Sequence, residues 1–150
     1  MKIIVDTREK SGAIQRILRT FDRAGIEYCR RALKTGDYML EDFPGVVIYR
    51  KQNLEELSKN LTNSKDRSRF WREVRRAYNN NIKLVVLCEH GGQIKCVEDV
   101  RKWRDKYSGV PGRILAEKMQ QLQMAYGVDF VFCDKRVTGK KIIEILTKNY

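Results

Sequence analysis

The chain has 150 residues, of which 42% are hydrophobic and 33% are charged. This length suits one domain that can bury a core without disulfides or structural metal. No apolar run approaches the roughly eighteen residues of a membrane span. The N-terminal segment lacks the apolar core of a signal peptide. We therefore expect a single domain over residues 1–150, a cytoplasmic location inside the cell, and no membrane partner.

Charge and cysteine content narrow the function classes further. Lys and Arg number 31 against 19 Asp and Glu, which gives a net charge of +12. Such an excess favours a polyanionic partner, above all nucleic acid, although a basic surface kept for solubility is the alternative. The four cysteines form no CxxC pair, so we expect free thiols and neither zinc nor disulfides. No Walker-type or dinucleotide fingerprint is present, so no nucleotide cofactor is expected.

The N-terminal third predicts two strands, a helix and a hairpin. Met1–Asp6 is a short β-branched run that suits a buried strand. Apolar residues recur at helical spacing over Ser11–Ala24, and Gly25 ends that helix. A second strand is predicted over Ile26–Leu33. Tyr38–Lys51 is predicted to be a hairpin, because the sequence DFPG near its centre is a turn signal.

Two helices and a central strand are predicted next. Leu54–Leu61 and Lys65–Tyr78 are the helices, and the second has an apolar stripe opposite a basic face. Lys83–Cys88 is a continuous apolar run of the kind that is buried on both faces of a sheet.

The C-terminal third completes an alternation of strands and helices. Val97–Tyr107 predicts a short helix and Ser108–Gly112 a loop. A helix over Ile114–Tyr126, a strand over Val128–Cys133 and a last helix over Thr138–Leu146 follow. Strands that alternate with helices around central apolar runs predict an α/β fold, with a mixed sheet flanked by helices.

Acidic and basic residues meet where the predicted strands end. They are Asp6, Glu9, Asp37, Arg50 and Lys51. Carboxylates bind hard divalent ions such as Mg²⁺, which polarise a phosphodiester and acidify an attacking water, while a lysine stabilises the developing charge. An antiparallel hairpin brings its two ends together, so Asp37 and Lys51 should lie close. The cluster therefore predicts phosphodiester hydrolysis, with surface ion pairs as the alternative.

Five segments in this order resemble a known family. They are VDTRE (5–9), GDY (36–38), YRKQNLEEL (49–57), RF-x-x-E (69–73) and KLVVLCE (83–89). They are similar to the nuclease domain of the XPF family, whose signature is GD, a gap, then ERK-x-x-x-D. The resemblance implies a restriction-endonuclease-like fold that cuts branched or junction-containing DNA. It is greatest to stand-alone phage or bacterial versions, because no segment resembles the helix-hairpin-helix module of eukaryotic and archaeal members.

The resemblance also implies roles for individual residues. The metal ligands that it implies, for Mg²⁺ or Mn²⁺, are Asp6, Glu9, Asp37 and Glu55, the last standing where the signature has Asp. The catalytic positions that it implies are Lys51, Arg50, Arg8 and Tyr49. Since members of the family pair through their nuclease domains, a homodimer is a further implication.

Position 49 departs from the signature, which has an acid where this chain has Tyr49. A neutral phenol with a pKa near 10 is a poor Mg²⁺ ligand. Three interpretations stay open: a DNA-binding domain without catalysis, an active enzyme in which Glu9 or Glu55 compensates, or an engineered or accidental substitution.

A basic helix face predicts where DNA would bind. The residues concerned are Arg67, Arg69, Arg72 and Arg76, and the last three share one face opposite Phe70, Val74 and Ala77. Such a row neutralises phosphates, so that binding weakens steeply with salt. A solvated helix face is the alternative. A second basic cluster comprises Lys135, Arg136, Lys140 and Lys141.

Overall fold

A six-stranded mixed sheet forms the centre of the molecule. The computed structural model describes residues 1–148. The strands are β1 (Lys2–Val5), β2 (Glu27–Arg30), β3 (Tyr38–Leu40), β4 (Val46–Lys51), β5 (Lys83–Cys88) and β6 (Asp129–Phe132). Their order across the sheet is β2-β1-β3-β4-β5-β6. The strand β3 runs antiparallel to β1 and β4, whereas the other neighbours are parallel.

In the part of the chain that the structure describes, six α-helices and two short 3₁₀ turns cover the two faces of the sheet. The helices are α1 (Gln15–Arg23), α2 (Leu54–Thr62), α3 (Ser64–Asn79), α4 (Val97–Val100), α5 (Gly112–Tyr126) and α6 (Thr138–Thr147). The 3₁₀ turns are Ser11–Ile14 and Lys135–Val137. Asn63 caps α3, because its side chain accepts hydrogen bonds from the first backbone N–H groups of the helix. The predicted α/β architecture is confirmed.

The sheet separates two hydrophobic cores. On one face, α2, α3, α4 and α5 pack on side chains such as Val47 and Val86. On the other face, α1 and α6 pack on side chains such as Ile48 and Val85. Successive residues of a strand point to opposite faces, so β4 and β5 contribute to both cores in alternation. This burial explains why KLVVLC carries no polar residue after its first position.

One predicted helix is wrong over most of its length. Val97–Tyr107 was expected to be helical, but α4 ends at Val100 and turns follow it. The buried Asp105 side chain accepts hydrogen bonds from the backbone N–H groups of Tyr107 and Ser108, at 2.9 and 3.3 Å. An aspartate that bonds to nearby backbone favours a turn over a helix. The other predicted helices and strands are present, with ends shifted by a few residues.

Two expectations about the whole chain can be compared with the structure. Within residues 1–148, no helix has the length and apolar character needed to cross a membrane. The four cysteines are free, as expected, with Cys88 and Cys133 buried in the cores.

Gly36 fixes the turn that leads into β3. Its φ is +77°, and a Cβ built there would lie 3.0 Å from the carbonyl oxygen of Ile48 and 3.1 Å from Cβ of Val47. Only glycine adopts this conformation readily, and only a residue without a side chain lets the turn approach β4 so closely. The GD pair therefore sets the position of Asp37 against the end of β4.

We expect Gly36→Ala to destabilise the fold by about 1–3 kcal/mol, because the added methyl group meets strained backbone and a packed strand. Urea denaturation measures the change. Gly45→Ala on the same hairpin is the matched control, since no atom lies within 4 Å of its Cβ position. Equal effects of the two substitutions would contradict the steric argument.

Candidate active site

Strand ends place the predicted site residues at one edge of the sheet. The C-terminal ends of β1, β4 and β5 and the start of β3 meet there. The backbone N–H of Asp6 donates to the carbonyl oxygen of Asp37 at 2.8 Å. The backbone N–H of Arg50 donates to Oδ2 of Asp37 at 2.8 Å. The hairpin therefore brings Asp37 to the end of β4, as predicted.

The carboxyl group of Asp37 is the most perturbed acid of this edge. Burial raises its pKa to about 7, and the negative charge of Glu9 adds to the rise. The hydrogen bond from the backbone of Arg50 and the positive charge of Lys51 act in the opposite direction. Asp37 is thus poised between its neutral and charged forms near neutral pH, which is characteristic of a functional acid.

Arg50 forms a buried ionic network on the α1–α6 face of the sheet. Its guanidinium donates to both carboxylate oxygens of Glu9, at 2.7 and 3.0 Å, and to Oε1 of Glu89. The Oγ1 hydroxyl of Thr138 donates to the other oxygen of Glu89 at 2.6 Å. Burial opposes the charge on Arg50, but the bonds and charges of Glu9 and Glu89 outweigh it and raise its pKa.

Lys51 points to the opposite face, towards α3. Its side chain is 4% exposed, and its Nζ lies 3.9 Å from the ring centroid of Tyr49 and 3.9 Å from Oε1 of Glu56. Burial lowers the pKa of Lys51, although Glu56 and Asp37 oppose that change. The Tyr49 ring packs on Phe70 with centroids 5.9 Å apart. Tyr49 therefore supplies a π face to the ammonium, where the family signature supplies a carboxylate.

The phenol of Tyr49 stays neutral at physiological pH. Burial raises its pKa, and the nearby charges of Glu73 and Asp37 raise it further. A neutral phenol offers a cation far less than an ionised carboxylate does.

Asp6 is occupied by hydrogen bonds within the protein. It is fully buried, its Oδ1 accepts from the backbone N–H of Leu33 at 2.8 Å, and its Oδ2 accepts from Nε of Arg8. Arg8 also lies 4.0 Å from Glu73, a buried acid of α3. Burial raises the pKa of Glu73, and Arg8 opposes the rise.

The four predicted metal ligands do not form one preformed shell. Among residues 1–148, no group of three or more His, Cys, Asp or Glu side chains is arranged to hold a metal ion. The carboxylate oxygens of Glu9 are bound by Arg50, and those of Asp6 by Leu33 and Arg8. Asp37 remains the ligand that best fits a cation, because Mg²⁺ is commonly held by one or two carboxylates together with substrate phosphates.

The sequence matches one family profile over nearly its whole length. The ERCC4 domain matches residues 5–146. The chain belongs to the ERCC4 domain family. No curated protein matches the sequence.

Solved structures of XPF from Aeropyrum pernix share the fold of this ERCC4 domain. One has a TM-score of 0.70 at 22% identity and covers 97% of this chain and 63% of that chain. A second, in complex with DNA, has a TM-score of 0.67 at 20% identity and covers 97% of this chain and 62% of that chain. The chain spans about three fifths of the length of these proteins. The XPF-type, restriction-endonuclease-like fold predicted from the sequence is thereby confirmed.

The structure brings most of the predicted site residues of the ERCC4 domain to the same edge. Arg8, Tyr49, Arg50 and Lys51 lie around Asp37, and Arg67, Arg69, Arg72 and Arg76 are exposed on α3. In the first turn of α2 it is Glu56, and not Glu55, that forms the ion pair with Lys51. The role of each residue stays a prediction.

Two further acids belong to the site, although the sequence predicts no role for either of them. Glu89 ends the run KLVVLCE and binds Arg50, while Glu73 ends RF-x-x-E and is buried beside Arg8. The signal for Glu73 is its spacing on α3, three residues after Phe70 and four before Ala77, which places it on the buried face of the helix. A charged residue is rarely buried without a functional or ionic reason.

We expect Asp37→Asn to make the folded state more stable at pH 8. Because the pKa of Asp37 is higher in the folded state, its contribution to stability is full below about pH 4 and is lost as the pH rises through about 7. At about 1.4 kcal/mol per pH unit, the rise from 3.8 to about 7 gives an upper bound of roughly 4 kcal/mol.

Urea denaturation of both proteins between pH 4 and 8 measures this difference. Asp42→Asn, at an exposed aspartate of the same hairpin, is the matched control and should leave the pH dependence of wild type unchanged. A parallel pH dependence of the wild-type and Asp37→Asn proteins would show that the carboxyl is not perturbed.

Proposed function

We propose that this ERCC4 domain is a divalent-metal-dependent endonuclease that cuts branched or junction-containing DNA. The observation that carries the proposal is that a buried lysine and a carboxyl group of raised pKa, Lys51 and Asp37, lie close enough at the end of β4 for each charge to act on the other. One of the similar structures, XPF from Aeropyrum pernix, was solved in complex with DNA. The proposal includes assembly as a homodimer and action inside the cell.

The residues of this edge would divide the work of phosphodiester hydrolysis. The Lys51 ammonium would orient the attacking water and stabilise negative charge that develops on the phosphate oxygens. The ion pairs of the Arg50 side chain would keep the end of β4 in place, while the backbone N–H of Arg50 continues to donate its hydrogen bond to Asp37. Exclusion of water by the surrounding core strengthens each of these electrostatic interactions.

Asp37 would hold the metal ion, with the substrate phosphate completing its coordination. When bound, Mg²⁺ or Mn²⁺ would polarise the phosphate and acidify the attacking water. Asp37 must be ionised to bind a cation, so metal affinity should rise as the pH passes through about 7.

A second candidate is a DNA-binding domain without catalysis. Tyr49 favours it, because this residue removes a carboxylate from the signature and no preformed metal shell exists among the described residues. The two candidates share DNA binding and differ in cutting.

Cleavage of an end-labelled fork or flap with Mg²⁺ or Mn²⁺ separates them. We expect wild type to cut slowly, and Lys51→Ala and Asp37→Asn to lower the rate by about 10²-fold or more, because each removes charge stabilisation from the reacting phosphate. We expect Tyr49→Glu to raise the rate and the gain in thermal stability on Mg²⁺ addition, because it supplies a carboxylate near Asp37 and Glu73.

Tyr49→Phe is the matched control, since it keeps the ring over which Lys51 lies and removes only the hydroxyl group. If wild type does not cleave DNA and the Tyr49→Glu variant does, the site is one that has lost its activity through Tyr49. If no variant cuts but all bind DNA, the non-catalytic candidate is correct.

Binding should depend on the arginines of α3 in a sequence-independent way. We expect replacement of Arg69, Arg72 and Arg76 by Gln to weaken binding to every DNA. The negative slope of log affinity against log salt should also become shallower by about 2–3. Fluorescence anisotropy at several salt concentrations measures the slope. An unchanged slope would show that these arginines form a solvated face only.

A further inference from the structure

A second basic surface begins at the active edge and follows α1 on the other face of the sheet. One groove there, of about 450 Å³, is lined by Arg50, Gln52, Glu89, Lys135 and the first turns of α1. A second groove is lined by Arg16, Arg19, Thr20, Arg23 and Arg136. The two share Arg16 and Arg19, so they form one continuous depression, hereafter the α1 groove.

Three arginines of α1 supply most of the positive charge in the α1 groove that no carboxylate of residues 1–148 neutralises. Arg16, Arg19 and Arg23 are spaced so that they share one face of the helix, and all three are exposed. None of them forms an ion pair with a carboxylate of the described part of the chain. By contrast, the charge of Arg50 is outweighed by the two carboxylates of Glu9 and Glu89, and Arg136 is paired with Asp134.

The dimensions of this row match a short stretch of DNA backbone. Arg16 and Arg23 are seven residues apart, or about 10 Å along the helix axis. Phosphates of one strand of a duplex rise about 3.4 Å per nucleotide along its axis while winding around it, so a row of this length reaches only a few consecutive phosphates. Within residues 1–148, no aromatic side chain lines the groove, so these residues offer bases no stacking surface there and contact would be confined to the backbone.

The two basic surfaces lie on opposite sides of the sheet. The α3 arginines belong to the layer that packs on one core, and α1 belongs to the layer that packs on the other. The active edge, with Asp37 and Lys51, lies between them. A continuous duplex would have to bend around this edge to reach both surfaces, and bending stiff DNA costs free energy. A branch point lets two arms diverge at no such cost.

We propose that the α1 groove binds the phosphate backbone of a second DNA arm, and that the two basic surfaces together select branched DNA over linear duplex. This inference deepens the proposed function and rests on it. The ligand is the sugar-phosphate backbone of three or so nucleotides, without base recognition. The three arginines of α1 would position the branch at the active edge and take no part in the chemistry.

The test compares binding of a fork and of a linear duplex of equal length, by anisotropy without divalent metal. We expect Arg16→Gln, Arg19→Gln and Arg23→Gln together to weaken fork binding about tenfold or more. The negative slope of log affinity against log salt should become shallower by about 2–3 for the fork and remain nearly constant for the duplex. Lysine at the same three positions should restore most of the affinity, because the charge is retained.

A matched variant removes the same number of charges elsewhere, with Lys95, Lys102 and Arg113 changed to Gln around α4 and α5. Fork binding that falls equally in this variant would overturn the inference, as would a wild type that binds fork and duplex alike. Because binding is measured without cutting, absence of cleavage would overturn the endonuclease and leave the α1 groove in place. Loss of preference for the fork in the α1 variant, with duplex binding kept, would support the inference even for an inactive domain.

Discussion

The bridge that Arg50 makes between Glu9 and Glu89 is the interaction on which the active edge depends. Its side chain is 5% exposed and connects the loop after β1, the end of β4 and the end of β5, while Thr138 extends the network to α6. Loss of one partner in such a network leaves a buried charge uncompensated, which is far more costly than loss of a surface pair. Segments far apart in sequence are therefore held together by one guanidinium.

This use of Arg50 explains the electrostatic character of the opposite face. Strand alternation sends Arg50 to one side of β4 and sends Tyr49 and Lys51 to the other. The guanidinium of Arg50 is bound to Glu9 and Glu89. Asp37 therefore accepts a hydrogen bond from the backbone of Arg50, while Lys51 acts on it as a more distant positive charge. Lys51 meets the aromatic ring of Tyr49 and, also 3.9 Å away, the carboxylate of Glu56. Both groups are thus left with pKa values displaced by burial.

The sequence predicted the elements better than it predicted the contacts between them. The DFPG turn before the β-branched run VVI, and the continuous apolar run of β5, were sufficient to place the hairpin and the central strand, because local pattern decides both. The pairing of Glu9 with Arg50 crosses 41 residues and depends on tertiary packing. The choice of Glu56 over Glu55 depends on which side of the first turn of α2 faces Lys51. The helix predicted over Val97–Tyr107 is wrong beyond Val100, because the Asp105 side chain bonds to the backbone of Tyr107 and Ser108 and so competes with helix formation.

The two hydrophobic cores have a consequence for how this domain can change over evolution. Side chains on α1 and on α3 share no core, so substitutions in one layer should alter stability nearly independently of those in the other. Each layer can therefore accumulate changes on its outer surface while the sheet between them keeps its hydrogen bonds. A protein with two separate cores can change the surface on one side of its sheet during evolution and retain the surface on the other side.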